Sequence, residues 1–310
     1  CGLIYEVAWL RVMGLIFGNT TFATSTVLAS YMAGLGLGAL WWGKRIDRSS
    51  CPIKTYAKLE AAVGLYALAT PLIWKIIDLL TIGFFRFTPS SFFLAIVFKF
   101  IVAFATLLLP TFLMGATLPV ISKYFVQGEE NVAQKVGLLY GLNTLGAVFG
   151  VLFSGFFALQ TFGVWETVYL TAFFNFLIFY LCIRFEARKD PAEPPARVPR
   201  NTPQAVPPTG TGTTAVSSGA SIPRPPLSGF SPAVTLALLT AFAVSGAVSM
   251  MYEIAWTRVL AMSLGSSVYA FCVMLATFLL GISLGSYFFS RYSERSNAGL
   301  TTFAVLELLT

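Results

Sequence analysis

Two glutamates set in apolar surroundings are the residues of this chain whose type and placement point most directly to chemistry. Glu6 lies in Tyr5-Glu6-Val7-Ala8-Trp9-Leu10-Arg11-Val12 and Glu253 in Tyr252-Glu253-Ile254-Ala255-Trp256-Thr257-Arg258-Val259. Each interrupts an apolar helical stretch. An ionised carboxylate at mid-bilayer costs about 3 kcal/mol on insertion scales and more on an isolated helix, so it persists where it is paired, protonated or facing water. The neighbouring Tyr and Trp rings offer faces that attract cations. Two acids with such rings suit a dicationic or polycationic amine. Tyr5, Glu6, Trp9, Tyr252, Glu253 and Trp256 are therefore the candidate substrate-binding residues.

The two segments are copies. At an offset of 247 residues the match runs on without a gap, pairing Gly18 with Gly265, Ala23 with Ala270, Gly34 with Gly281, Gly38 with Gly285, Arg48 with Arg295 and Leu59-Glu60 with Leu306-Glu307. A register that keeps Glu, Trp, Arg and Gly in place marks a duplication, and an internal repeat decides the architecture before any single element does.

Depth follows from helix rise. Glu6 precedes the turn Gly18-Asn19-Thr20 by enough residues to lie about 18 Å below it, close to the middle of a hydrocarbon core of about 30 Å. Arg11 and Arg258 lie nearer the outer boundary, Lys99 sits at a similar depth to them, and Glu60 and Glu307 lie toward the opposite face. Three readings stay open. The glutamates hold a cation, or they take part in proton coupling, or they pair inside the protein with Arg11, Arg258 or Lys99. Glu and Arg five residues apart are about 140° apart around a helix, so any such partner must come from another helix.

Composition sets the class. Of 310 residues, 56% are hydrophobic and 11% charged, against about 25% charged in soluble domains. Apolar runs of about 20 residues recur, each long enough to span a bilayer as a helix, and they are too long and continuous for alternating strands. The net charge is +7, yet no basic run is interleaved with aromatics, so nucleic acid is not the expected partner. Cys1, Cys51, Cys182 and Cys272 are scattered, which suits neither a zinc site nor a disulfide framework. The absence of His removes His-based triads, His metal ligands and imidazole relays. Neither a metal nor a cofactor is expected here.

The chain divides into three parts. Residues 1–186 predict a six-helix transmembrane repeat. Its helices cover about 1–17, 21–42, 53–80, 92–124, 136–159 and 164–184, with Pro110 and Pro119 inside the fourth and a glycine stripe (Gly137, Gly141, Gly146, Gly150, Gly155) along the fifth. Residues 187–232, rich in Pro, Gly, Ser and Thr, predict a disordered linker. Residues 233–310 predict the start of a second repeat, with helices from about 234 and 267 and another from about 301. The repeat register leads us to expect that both repeats are truncated in this chain.

Most of the 20 Lys and Arg fall on one side: Lys44, Arg45, Arg48, Lys54 and Lys58; Lys123 and Lys135; the linker arginines; Arg291 and Arg295. By the positive-inside rule this side is cytoplasmic. Six helices between equivalent starts give both copies one orientation, which is a parallel repeat of the major-facilitator kind. The fold expected is thus all-α, a polytopic transmembrane bundle with one six-helix half and the start of another, in the cytoplasmic membrane.

Two resemblances join these readings. Gly43-x-x-x-Asp47-Arg48 resembles the first half of the major-facilitator loop motif, a conformational latch; its second copy is degraded to Ser290, Glu294 and Arg295. A longer set is similar to the membrane domain of the spermidine synthase-like membrane proteins, the fused major facilitator/spermidine synthase family. It comprises Ile4-Tyr5-Glu6-Val7-Ala8-Trp9-Leu10-Arg11, Gly18-Asn19-Thr20, Pro110-Thr111-Phe112-Leu113-Met114-Gly115-Ala116-Thr117-Leu118-Pro119 and Tyr140-Gly141-Leu142-Asn143-Thr144-Leu145-Gly146-Ala147-Val148. The resemblance implies an aminopropyltransferase domain in a longer parent chain, using decarboxylated S-adenosylmethionine as co-substrate; joined to the acid pair, it leads us to expect a membrane part that carries or captures polyamines for that domain. No stretch of these 310 residues carries the Gly-rich turn and acidic pair of such a catalytic domain. A stand-alone secondary transporter and a membrane anchor are the alternatives.

Overall fold

In a computed structural model of the chain, the residues described are 1–17, 20–47, 49, 51–87, 92–126, 132–188 and 232–295. All their regular structure is helical. The elements are α1 (Gly2–Phe17), α2 (Thr20–Ile46), α3 (Pro52–Phe87), α4 (Phe92–Phe125), α5 (Val132–Phe153), a π-helical turn (Ser154–Ala158), α6 (Leu159–Thr161), α7 (Val164–Ala187), α8 (Pro232–Leu264) and α9 (Ser267–Arg295). Seven helices among the described residues are long and apolar enough to cross a membrane. Large apolar side chains such as Leu15, Leu79, Phe93, Leu138, Phe149 and Phe173 stand exposed, as a lipid-facing surface requires. The chain is a multi-pass helical membrane protein. The expected linker falls almost wholly in 189–231, and the helix from 301 with Glu307, together with Arg48, also lies outside the described residues.

The described residues fall into two units, one with residues 188 and 232–248 and the other with 1–187 and 249–295. In the larger unit α1 is the centre. Tyr5 to Leu10, Val12 and Met13 are all buried, the pattern of a helix enclosed on every side. Around it pack α2, α4, α5, α7 and α9. The tightest pairing joins α2 to α4. A Cβ at Gly34 would stand 1.8 Å from Thr111 Oγ1, and one at Gly38 would stand 2.0 Å from the Phe112 carbonyl oxygen. From the other side, a Cβ at Gly115 would stand 2.3 Å from the Leu35 carbonyl oxygen. Without a hydrophobic drive between helices in lipid, such backbone proximity supplies the dispersion contacts that hold two helices together.

The prolines of α4 do not end it. Pro110 has no N–H to give the carbonyl of Thr106, and the Tyr66 hydroxyl of α3 donates to that oxygen at 2.7 Å. A neighbouring helix thus satisfies the freed group, as a membrane interior demands.

Two expectations need correction. The glycine stripe of the fifth helix is not a packing stripe among the described residues: Gly137, Gly141 and Gly146 face open space, while Gly150 meets Ile4 and Gly155 meets Cys272. The helix does not run regularly to residue 159 either. At Gly155 it opens into the π-helical turn, where a Cβ would stand 2.3 Å from Cys272 Sγ, and Gln160 Nε2 donates to the Phe156 carbonyl at 3.2 Å.

The α2–α4 contact predicts opposite outcomes for two neighbouring glycines. Gly38→Ala should lower stability by about 1–3 kcal/mol through overpacking. Gly36→Ala faces open space and should change it by less than about 0.5 kcal/mol or raise it slightly. Thermal unfolding of the detergent-solubilised protein distinguishes them.

Candidate functional site

Glu6 is at the heart of the bundle, 2% exposed, and its Oε1 has no hydrogen-bond partner among the described residues. Glu253 on α8 is likewise 2% exposed with an unpartnered Oε1. The two carboxyls lie within Coulombic range of one another. Buried Cys272 of α9 is within the same range of Glu6, and its sulfur packs on the π-helical turn at Gly155. Glu6 therefore sits where α1, α9 and the end of α5 converge, with Glu253 of α8 within the same electrostatic range.

Aromatic rings enclose the Glu6 side. Tyr5 and Trp9 stack at 5.3 Å. Tyr31 of α2 and Tyr66 of α3 meet the Trp9 ring at 6.1 and 6.3 Å. Trp9 Nε1 is buried and unpartnered. This pocket of protein thus holds an orphaned donor as well as orphaned carboxyl acceptors.

None of the cations expected as internal partners meets either acid. Lys99 Nζ donates instead to the Ile16 carbonyl at 2.9 Å, where it satisfies one of the free carbonyls at the end of α1. Arg258 donates to the Thr21 hydroxyl at the start of α2. Arg11 is exposed and lines a recess with Ala23, Thr24, Ser267 and Val268. The reason is the one visible in the spacing: five residues from Glu6 or Glu253, each arginine leaves its helix on another side. The two arginines occupy reciprocal places, because Val268 is the repeat equivalent of Thr21.

Glu60 is not a partner of this pair but belongs to a separate polar chain. Asn175 Nδ2 of α7 donates to Glu60 Oε2 at 2.8 Å, and the Tyr5 hydroxyl donates to Asn175 Oδ1 at 3.1 Å. Tyr56 is a further polar neighbour of the Glu60 carboxyl. One amide so joins α1, α3 and α7. Asn143 of α5 is exposed.

The second aromatic pair is placed differently from the first. Tyr252 is 52% and Trp256 59% exposed, whereas Tyr5 and Trp9 are 0% exposed. Glu253 and Thr257 share the inward face of α8, and residues 252 and 256 project about 60–100° away from Glu253 around the helix. The structure thus brings Tyr5, Glu6, Trp9 and Glu253 together and leaves Tyr252 and Trp256 outside. Sequence reasoning missed Tyr31, Tyr66 and Cys272, since nothing in their local spacing ties them to Glu6.

The loop motif is at the far end of α2. Gly43 faces open space. Asp47 pairs with Lys123 of α4 at 3.2 Å, both exposed, which is worth at most about 1 kcal/mol. Arg45 lies 3.7 Å over the Trp41 ring.

No family model, no curated protein and no solved structure matches the chain.

The Tyr5–Asn175–Glu60 chain predicts a ranked series. Tyr5→Phe should cost about 1 kcal/mol, and Asn175→Leu more, because it strands buried groups on two helices at about 1–3 kcal/mol each. Adding Glu60→Leu to Asn175→Leu should recover part of that loss, since the stranded carboxyl is then gone. Melting temperatures of the three variants test the order.

Proposed function

We propose that this chain is the membrane domain of a cation-handling protein, and that Glu6 and Glu253 together hold the cation. The observation that carries this reading is the buried acid pair itself: two carboxyls within Coulombic range of one another, each with an unpartnered oxygen, while Lys99, Arg11 and Arg258 are engaged or placed elsewhere. Two buried like charges repel strongly in a low-dielectric interior. A positive charge from outside the protein's own side chains resolves this.

The ligand class we assign is a short polyamine. Two carboxyls suit two ammonium groups, and Tyr5, Trp9, Tyr31 and Tyr66 suit the cation and its methylene chain. The motif resemblance to spermidine synthase-like membrane proteins supports the same class. The reciprocal placing of Arg11 and Arg258 supports a major-facilitator-like pairing of two equivalent halves, with the basic loops in the cytoplasm. In this reading the domain carries or captures polyamines, for an attached aminopropyltransferase in a longer chain or as a stand-alone secondary transporter.

One observation favours a smaller cation as an intermediate. The recess beside Arg11 includes neither glutamate in its lining, and close packing surrounds Glu6. A proton is the cation that fits without rearrangement, and an amine then enters by helix movement.

Binding of putrescine and spermidine to the purified protein, followed by isothermal titration calorimetry, tests the reading. Wild type should bind, Glu6→Gln and Glu253→Gln should each weaken binding at least about tenfold, worth about 1.4 kcal/mol, and the double variant should not bind. Circular dichroism should show all three variants folded. Wild type that binds no diamine, or a double variant that binds as wild type does, refutes the proposal. Wild type that binds yet moves no labelled spermidine across vesicles leaves capture in place of transport.

A further inference from the structure

The duplicated arginines meet different first turns. Arg258 of α8 donates to the Thr21 hydroxyl in the first turn of α2. Arg11 of α1 lies beside the equivalent turn of α9, where Val268 stands in the position of Thr21. A valine side chain offers no acceptor. Among the described residues Arg11 accordingly has neither a hydrogen bond nor an ion pair.

Where the acceptor is missing there is a space. A recess of about 210 Å³ opens between α1, α2 and α9, more than a single water needs. Arg11 gives it a positive charge. Ser267 gives it a hydroxyl that has no other partner among the described residues. Leu10 and Leu15 of α1 line it as well. Leu15 is 77% exposed, so the recess is continuous with the surface that faces lipid. The lining includes no Asp or Glu.

These features select a ligand. A guanidinium matches an oxyanion that can accept two parallel N–H bonds, as a phosphate group does. Arg11 lies six residues before the end of α1 at Phe17, about 9 Å along the axis. From there its long side chain can carry the charge toward the interface while the stem stays among apolar groups. Leu10 and Leu15 suit the glycerol and first methylenes of a lipid, which a hydrated free ion lacks. The lining has no carboxylate to neutralise a choline or ethanolamine, so a lipid of net negative charge is favoured over a zwitterionic one.

We propose that this recess binds the phosphate group of an anionic phospholipid, held by the Arg11 guanidinium and the Ser267 hydroxyl. Val268 is the residue that leaves Arg11 available, because a threonine there would take the guanidinium as Thr21 takes that of Arg258. Neither Glu6 nor Glu253 lines the recess, and the inference is independent of what those acids hold.

Native mass spectrometry of the detergent-purified protein, titrated with phosphatidylglycerol or with phosphatidylcholine of the same chains, tests it. Wild type should hold one phosphatidylglycerol at least about tenfold more tightly than phosphatidylcholine, and Arg11→Gln should weaken phosphatidylglycerol binding by a similar factor. Val268→Thr gives Arg11 an internal acceptor and should weaken binding about threefold or more. Arg258→Gln, which removes the engaged arginine, should leave binding within about twofold of wild type. The proposal is overturned if wild type does not prefer phosphatidylglycerol, if Arg11→Gln binds it as wild type does, or if Arg258→Gln weakens it as much as Arg11→Gln. Should circular dichroism show Arg11→Gln unfolded, Val268→Thr decides, and unchanged binding by that variant overturns the proposal. Millimolar inorganic phosphate separates the two sources of the oxyanion. Lipid that stays bound supports the proposal, and lipid that phosphate displaces assigns the recess to a free anion instead.

Discussion

The constraint that governs this molecule is the cost of charge in a low-dielectric interior. Glu6 and Glu253 are removed from solvent within electrostatic reach of each other, and among the described residues neither is paired with a Lys or Arg. An apolar bundle can keep such groups only if something compensates them. Elsewhere the protein does supply compensation. Glu60 receives an amide hydrogen, the α1 terminus receives a lysine, and the carbonyl freed by Pro110 receives a tyrosine hydroxyl. Against that background the oxygens of Glu6 and Glu253 are, among the described residues, the buried side-chain acceptors left without a partner, beside the indole donors of Trp9, Trp42 and Trp74, and the proposed site rests on them.

The surrounding architecture holds this pair rigidly from one side and loosely from the other. On the α1 side, the glycine contacts between α2 and α4, the Tyr66 bond to α4 and the Asn175 bridge from α7 fix the rings around Glu6. On the α8 side, Glu253 turns inward while its aromatic neighbours face away from the bundle. The π-helical turn next to Cys272 belongs to the same junction. Such turns substitute irregular backbone for a regular ladder, often where a helix must bend around a functional group.

The helices were legible in the sequence because long apolar runs leave few other choices, and their boundaries moved mainly by lengthening. The apolar setting of Glu6 and Glu253 was legible too, and both side chains are buried. What could not be read was which groups meet. Lys99 has the charge and depth to pair with Glu6, but its head reaches a helix end instead. That choice depends on where α1 terminates against α4, a tertiary matter. Tyr252 and Trp256 copy Tyr5 and Trp9 in type and spacing, yet exposure depends on covering helices that local sequence does not contain. Gly137, Gly141 and Gly146 carry the spacing of a packing stripe but face no neighbour, whereas Gly34 and Gly38, similar on paper, touch α4 at backbone distance.

The account depends most on the claim that the acid pair carries a positive charge supplied from outside the protein's own side chains. Infrared difference spectroscopy of the carboxyl stretch tests it directly, comparing wild type with Glu6→Gln and Glu253→Gln before and after spermidine is added. The account predicts a protonated-carboxyl band in the amine-free protein that either substitution alters and that spermidine converts to carboxylate absorption. Two ionised carboxylates in the amine-free protein, or a protonated band indifferent to spermidine, would contradict it.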